Sequence, residues 1–258
     1  MRRTIFISLA FILAAAAACV NARVASAKAR RGAPLAGSRQ LVVVTTPGWG
    51  SVRGALRRFE RSGARAGWRQ VGEAFEVVVG RGGLGWGDGV AEAEGGGPSK
   101  REGDGRAPAG VFPLTSAFGF EGARETSWLR VTYTALTPTV ECVDDAASSH
   151  YNRVVDRADV KAVDWNSSER MREVEGYRWG VVVAHNARAV PGRGSCIFLH
   201  VWAGPSKGTA GCTAMEQANL EALLRWLNSG KRPLLVQLPE SEYARLSPLW
   251  KLPAARAR

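Results

Sequence analysis

Short apolar segments dominate the chain from Gln40 onward. Runs of five or six residues rich in β-branched side chains are separated by glycine- and proline-rich turns. This pattern predicts strands, and hence a mainly β fold with a few helices. The predicted strands are Leu41–Thr45, Phe75–Val79, Leu129–Tyr133, Trp179–Ala184, Ile197–Val201 and Leu234–Leu238.

Two segments have the apolar spacing of an amphipathic helix. In Ser51–Arg61, apolar residues at 52, 56 and 59 share one helical face. In Ala214–Asn228, leucines at 220, 223, 224 and 227 follow the helical spacing more closely. Thr213 and Glu216 form a T-x-x-E capping pattern, which predicts that this second helix begins at Thr213.

A glycine-rich segment, Gly80–Ser99, contains nine glycines and predicts a long surface loop. Its first six residues match the G-x-G-x-x-G pattern of dinucleotide-binding turns. Such a site needs a helix to begin there, so that the helix N-terminus meets the pyrophosphate. The residues that follow, Trp86-Gly87-Asp88-Gly89, disfavour a helix. We therefore predict a turn here, and no cofactor.

The N-terminus resembles a secretory signal peptide. Basic residues precede the uncharged apolar run Thr4–Val20, and Ala25-Ser26-Ala27 fits a cleavage site. The run is short for a spanning helix, which needs about 20 residues. Lipidation of Cys19 is disfavoured because Ala16 stands where such signals carry leucine. We expect signal peptide 1–27, a periplasmic or extracellular protein associated with the cell wall, and no membrane anchor after cleavage.

Composition and net charge exclude some kinds of protein and favour an anionic partner. With 258 residues, 45% hydrophobic and 22% charged, the chain is neither disordered nor a small disulfide scaffold. Its net charge is +12, and cleavage after Ala27 would remove three arginines and leave +9. A basic protein usually meets an anionic partner. For an exported protein, the cell envelope is a better candidate than nucleic acid.

The most informative segment runs from Gly194 to Glu216. His200 ends a predicted strand, a polar loop follows, and Cys212 stands directly before the predicted helix. A helix N-terminus favours a thiolate, and the N–H groups from Gly211 to Thr213 could hold an oxyanion. A nucleophilic cysteine needs a base, and His200 is favoured over His185 because it lies on the preceding strand.

A zinc site is the alternative use of these residues. Cys196, His200 and Cys212 could supply three ligands, but their spacing matches no closed site and no fourth ligand is evident. We therefore predict no metal.

These residues resemble the YkuD-type L,D-transpeptidases, which carry a histidine at a strand end and a [ST]-x-G-C signature. The chain has His200 and then Thr209-Ala210-Gly211-Cys212, and resembles the branch with G-R-G-S-x-I-F-L-H and T-x-G-C-x-A. Lys100–Phe112 is similar to the family's K-x-x-G-D-G-x-x-P-x-G-x-F hairpin. Val143-Asp144-Asp145, Tyr151-Asn152 and His185-Asn186 also resemble that branch.

The resemblance implies a β-sandwich-like catalytic domain that acts on peptidoglycan stem peptides. Cys212 would attack the L-to-D peptide bond after the third stem residue, with His200 as its base and Gly211 and Thr213 in the oxyanion region. A neighbouring stem amine, or water, would then take the acyl group. The implied organisation is a basic linker at 28–39, a catalytic domain at 40–240 and a C-terminal extension at 241–258.

Two departures from the family pattern concern substrate binding. The common signature is S-H-G-C-[IV]-R, whereas this chain has Ala210 and Ala214 in place of the histidine and arginine. We expect other side chains to orient the substrate. The candidates are Arg193, Lys207, Thr209, His185 and Asn186.

Several alternatives stay open from the sequence. The same thiol would serve an L,D-carboxypeptidase or amidase if water outcompetes the amine, and the two alanines leave room for a non-catalytic wall-binding domain. Cys142 and Cys196 either form a disulfide or are both free, because their Cα separation is unknown from sequence. The oligomeric state is not predicted.

Overall fold

Fourteen strands and two α-helices make up the part of the chain that the computed structural model describes. That part comprises residues 34–63, 65–91 and 95–254, so the predicted signal peptide and the first half of the predicted linker, 28–33, lie outside it. The prediction of a mainly β fold with few helices is confirmed. The elements are β1 Gln40–Thr46, β2 Arg53–Glu60, β3 Arg69–Gln70, β4 Phe75–Val78, β5 Leu84–Trp86, β6 Ala107–Gly119, β7 Thr132–Ala135, β8 Val140–Val143, β9 Arg153–Asp156, β10 Ser168–Arg170, β11 Trp179–Val183, β12 Phe198–Val201, β13 Thr213–Met215, α1 Gln217–Trp226, β14 Leu234–Pro239 and α2 Glu240–Trp250.

The main sheet closes on itself. Its strands follow the order β1-β14-β6-β11-β12-β13-β4-β2, and β2 pairs back with β1. The β1–β14 and β12–β13 pairs are parallel, and the other neighbours in this ring are antiparallel. The ring brings β12 and β13 side by side. His200 lies within β12, and Cys212 directly precedes β13.

The main core includes residues of both α-helices. Leu220, Leu223 and Leu224 of α1 are fully buried in it. Within the predicted C-terminal extension 241–258, the buried residues of the same core are Tyr243, Leu246, Trp250 and Leu252. No helix in the described part has the length and apolarity to span a membrane.

A second, smaller core lies on the opposite face of β12. Side chains alternate along a strand, so Leu199 enters the main core while Phe198 enters the second. Cys212 is buried in the second core. A disulfide between Cys142 and Cys196, with Cα atoms 6.0 Å apart, ties this core to the three-stranded sheet β10-β8-β9.

The segment Ser51–Arg61 is a strand, so the helix predicted there is wrong. Its residues pair with β1 on one side and with β4 on the other. Leu56 and Phe59 are buried, and the guanidinium of Arg58 lies 4.7 Å from the ring centroid of Phe75. An apolar spacing of three or four in a short run does not separate helix from strand, and the two pairing partners decide it.

The predicted start of the second helix is also wrong. Helix α1 begins at Gln217, and Thr213–Met215 is the strand β13 between β12 and β4. The Thr213 hydroxyl donates to Gln237 Oε1 at 2.7 Å instead of capping a helix. Pairing on both sides satisfies the backbone of 213–215, and this outweighs the local capping pattern.

Two further boundaries differ from prediction. Gly80–Ser99 is not a surface loop throughout, because β5 lies within it, pairs with β6 and buries Leu84 and Trp86. The strand predicted at Leu129–Tyr133 is found at Thr132–Ala135.

Candidate active site

Cys212 and His200 lie on neighbouring parallel strand segments and face the same side of the sheet. The register pairs Leu199 with Thr213 and His200 with Ala214, so Cys212 comes opposite Phe198. The Phe198 N–H donates to Cys212 Sγ at 3.3 Å, and the thiol lies 3.5 Å from the Cys196 carbonyl oxygen. His200 follows Phe198 by two residues and therefore shares its face.

His200 has the tautomer that a base requires. Its Nδ1 lies 2.8 Å from the Val201 carbonyl oxygen, which accepts only, so Nδ1 carries the proton and donates. Nε2 then holds the free lone pair. Burial lowers the pKa of His200 below its usual value, so the ring is neutral at pH 7 and can accept a proton.

Cys212 is a neutral thiol in the resting protein. Burial, with a further contribution from the Glu169 carboxylate, raises its pKa to about 12. The Phe198 N–H and the Lys100 ammonium act in the opposite direction. A nucleophilic role for Cys212 would therefore require a base to take the thiol proton.

This protonation state predicts the pH dependence of thiol alkylation. Only the thiolate reacts, so alkylation of Cys212 by iodoacetamide should rise about tenfold per pH unit from pH 7 to pH 10. Peptide mapping of the Cys212 peptide measures the rate, with free cysteine as the control, which levels off near its pKa of about 8.5. A plateau for Cys212 below pH 8 contradicts the prediction.

A cavity of about 270 Å³ opens above these two residues. It is large enough for part of a peptide, and two oppositely charged side chains, Glu169 and Lys207, lie at its wall. The full lining is Glu169, Val174, Tyr177, His200, Trp202, Ala203, Lys207, Gly208, Thr209, Ala210, Cys212 and Ala214.

Thr209 shapes the loop that carries the cysteine. Its hydroxyl donates to the Cys212 carbonyl at 2.6 Å and accepts the Gly211 N–H at 3.1 Å. The Gly211 N–H is therefore engaged within the loop, and Thr213 belongs to β13. The helix N-terminus predicted at Thr213 is not there, because the helix begins four residues later. The oxyanion role of Gly211 and Thr213 stays a prediction, without a helix dipole to support it.

The other predicted substrate-binding residues lie in different places. His185 and Asn186 are buried, and their side chains hold the loop 186–194: His185 Nε2 donates to the Arg193 carbonyl, and the Asn186 amide donates to the carbonyls of Val190 and Gly194. The Arg193 side chain lines a separate cleft of about 660 Å³. Lys207 and Thr209 line the Cys212 cavity.

Three residues near Cys212 were not singled out by the sequence. Glu169 and Tyr177 line the cavity, and the Tyr177 hydroxyl donates to Glu169 Oε2 at 2.6 Å. Lys100 is buried, its ammonium binds Asp104 at 2.7 Å, and its charge acts to lower the pKa of Cys212. Lys100 is the first residue of the hairpin motif Lys100–Phe112, but the sequence could not predict its burial. No local sequence pattern distinguishes Glu169 or Tyr177.

The site and the fold together define a cysteine–histidine centre on a closed β sheet. A family model for the YkuD L,D-transpeptidase catalytic domain matches residues 59–236, a range that contains both Cys212 and His200. The chain belongs to this family, and the predicted membership is confirmed. Searches of curated proteins and of solved structures each find no match.

Proposed function

We propose that the protein is an exported L,D-transpeptidase that forms a thioester on Cys212. The observation that carries this proposal is the placement of Cys212 and neutral His200 on one face of adjacent strands, at the wall of a cavity large enough for part of a peptide. The family acts on peptidoglycan stem peptides. The expected export signal at 1–27 and the net charge of +9 that remains after its cleavage suit an anionic wall outside the cytoplasm.

The acylation step follows from the two protonation states. His200 Nε2 takes the proton of the Cys212 thiol as Sγ attacks the carbonyl carbon of the L-to-D peptide bond. The carbonyl oxygen becomes an oxyanion, and its collapse breaks the C–N bond. The leaving amine takes the proton from His200, and the remaining peptide is held on Cys212 as a thioester.

Lys207 is the candidate for holding the carboxylate of the departing D-residue. It is the one lysine or arginine among the described residues that line the cavity, and its exposed ammonium can reach a carboxylate near the opening. It would take over part of the role that arginine has in the common family signature.

Intact-protein mass spectrometry with a purified tetrapeptide muropeptide tests the function. Wild type should gain the mass of the muropeptide acyl group, which is the donor without its terminal D-residue, and release that D-residue, and Cys212→Ala should gain nothing. With an acceptor stem present, cross-linked dimers support transpeptidation, while shortened stems alone favour an L,D-carboxypeptidase. Absence of the adduct in wild type that still binds sacculi contradicts an enzyme and favours a wall-binding domain.

A further inference from the structure

The charge distribution of the Cys212 cavity contains an apparent conflict. Glu169 is next to burial the strongest influence that raises the pKa of Cys212, so its carboxylate opposes the thiolate on which acylation depends. A second glutamate of the three-stranded sheet, Glu141, has a different environment. It is buried and forms an ion pair with Arg157 at 2.9 Å. It also accepts hydrogen bonds from the side chains of Trp165 and Ser168, so its charge is fully compensated within the protein.

Glu169 has no such pairing. Within the described residues its hydrogen-bond partner is the Tyr177 hydroxyl, and no lysine, arginine or histidine forms an ion pair with it. The carboxylate therefore lines the cavity without a cation. A largely buried carboxylate in this situation offers a strong site for a cation that arrives with a ligand.

The acyl acceptor in transpeptidation is such a cation. An aliphatic amine has a pKa of about 10.4, so it is an ammonium at pH 7 and cannot attack a thioester until it loses a proton. His200 must hold its own lone pair for the later proton transfers, so the incoming ammonium requires a second proton acceptor.

We propose that Glu169 binds the ammonium of the acyl acceptor beside the Cys212 thioester and removes its proton, with Tyr177 as a positioning residue. This inference rests on the proposed function. The ammonium gives one proton to the Glu169 carboxylate, and the neutral amine attacks the thioester carbon. The new C–N bond forms, the C–S bond breaks, and His200 passes the second amine proton to Cys212 Sγ. The Glu169 carboxyl then releases its proton to solvent.

Two physical features support this role. Burial raises the pKa of Glu169, which makes its carboxylate a better proton acceptor than an exposed one. The ring of Tyr177 lies edge-on to His200 with centroids 5.3 Å apart, so one side chain contacts both the carboxylate and the histidine. Tyr177 thereby fixes Glu169 on the same side of the cavity as the reacting sulfur.

The test compares Glu169→Gln with wild type in two half-reactions. Acylation by the tetrapeptide alone should be kept, and alkylation of Cys212 at pH 8 should become faster, because a negative charge near the sulfur is removed. Transfer to a lysine-type amine should fall by about 10²-fold, and hydrolysis should take a larger share of the thioester. The transfer defect should shrink near pH 10, where the amine is neutral without a base.

A change of acceptor separates a chemical role from a structural one. Hydroxylamine is uncharged at pH 7, so its attack on the thioester should be nearly equal in wild type and Glu169→Gln. Glu173→Gln is the matched control, since Glu173 is exposed on the next turn and does not line the cavity. It should leave both acceptors unaffected.

Three results overturn the inference in distinguishable ways. Equal loss for both acceptors, or loss of acylation in Glu169→Gln, assigns Glu169 to the structure of the site. Unchanged transfer to the lysine-type amine removes its role while the proposed function stands. A wild type that forms no acyl-enzyme removes both. If Glu169→Gln does not fold, wild type itself should prefer cationic amines to hydroxylamine at pH 7, and the reverse preference rejects the proposal.

Discussion

Replacing His200 with glutamine is expected to slow acylation of Cys212 by about 10²–10⁴-fold. The reason is the resting thiol: with a pKa of about 12, Cys212 ionises to a negligible extent at pH 7 unless a base takes its proton. Glutamine keeps a donor toward the Val201 carbonyl but supplies no basic nitrogen. Single-turnover formation of the acyl-enzyme, followed by intact mass, measures the effect.

His150→Gln is the matched control for this variant. His150 lies on the side of the three-stranded sheet, where its ring contacts Asp164 and Trp165, and it does not line the cavity. Its replacement should leave acylation within about twofold of wild type. A His200→Gln variant that acylates at the wild-type rate would show that another group deprotonates the sulfur.

Removing the disulfide is expected to have the largest effect on stability. Cys142 and Cys196 are 54 residues apart in sequence, and closing a loop of that length lowers the entropy of the unfolded chain. On this basis the double variant Cys142→Ala, Cys196→Ala should lose about 4 kcal/mol of unfolding free energy. Urea unfolding of oxidised wild type and the double variant measures the difference.

The same change should also impair the active site. The Cys196 carbonyl contacts the Cys212 thiol, and the Cys196 backbone has a φ of 53° in the left-handed region. Without the disulfide to β8 this backbone is freer to relax, and the contact between the Cys196 carbonyl and the Cys212 thiol is weakened. Wild type treated with a reductant is the control and should approach the double variant. Equal unfolding midpoints for the oxidised wild type and the double variant contradict the prediction.

Most of the predicted strands could be located from the sequence alone. Leu41–Thr45 and Leu234–Leu238 lie within β1 and β14, because β-branched runs between turns are a local signal. The strand within Ser51–Arg61 could not be predicted, since the spacing of its apolar residues suits a helix. Pairing with β1, which precedes it, and with β4, which follows it, decides its state, and the apolar spacing within the segment does not reveal that pairing.

The candidate site was likewise predicted only in part. Cys212 and His200 could be selected because a motif, a glycine and a strand end are local features. The predicted environment of Cys212 was wrong, because 213–215 joins the sheet and the helix dipole does not reach the sulfur. The proximity of Glu169 and Tyr177 to Cys212 could not be predicted, since Glu169 comes from β10 of the three-stranded sheet and Tyr177 from the turn before β11.

The sequence by itself determined a mainly β protein and was sufficient to predict Cys212 and His200 as the reactive pair, because strand alternation and short motifs are encoded by neighbours in the chain. The tertiary structure decided that Cys212 is a neutral thiol, that His185 and Asn186 hold a loop, and that a carboxylate faces the cavity. Protonation and exposure depend on burial and on groups distant in sequence, and these exist only once the sheet has closed.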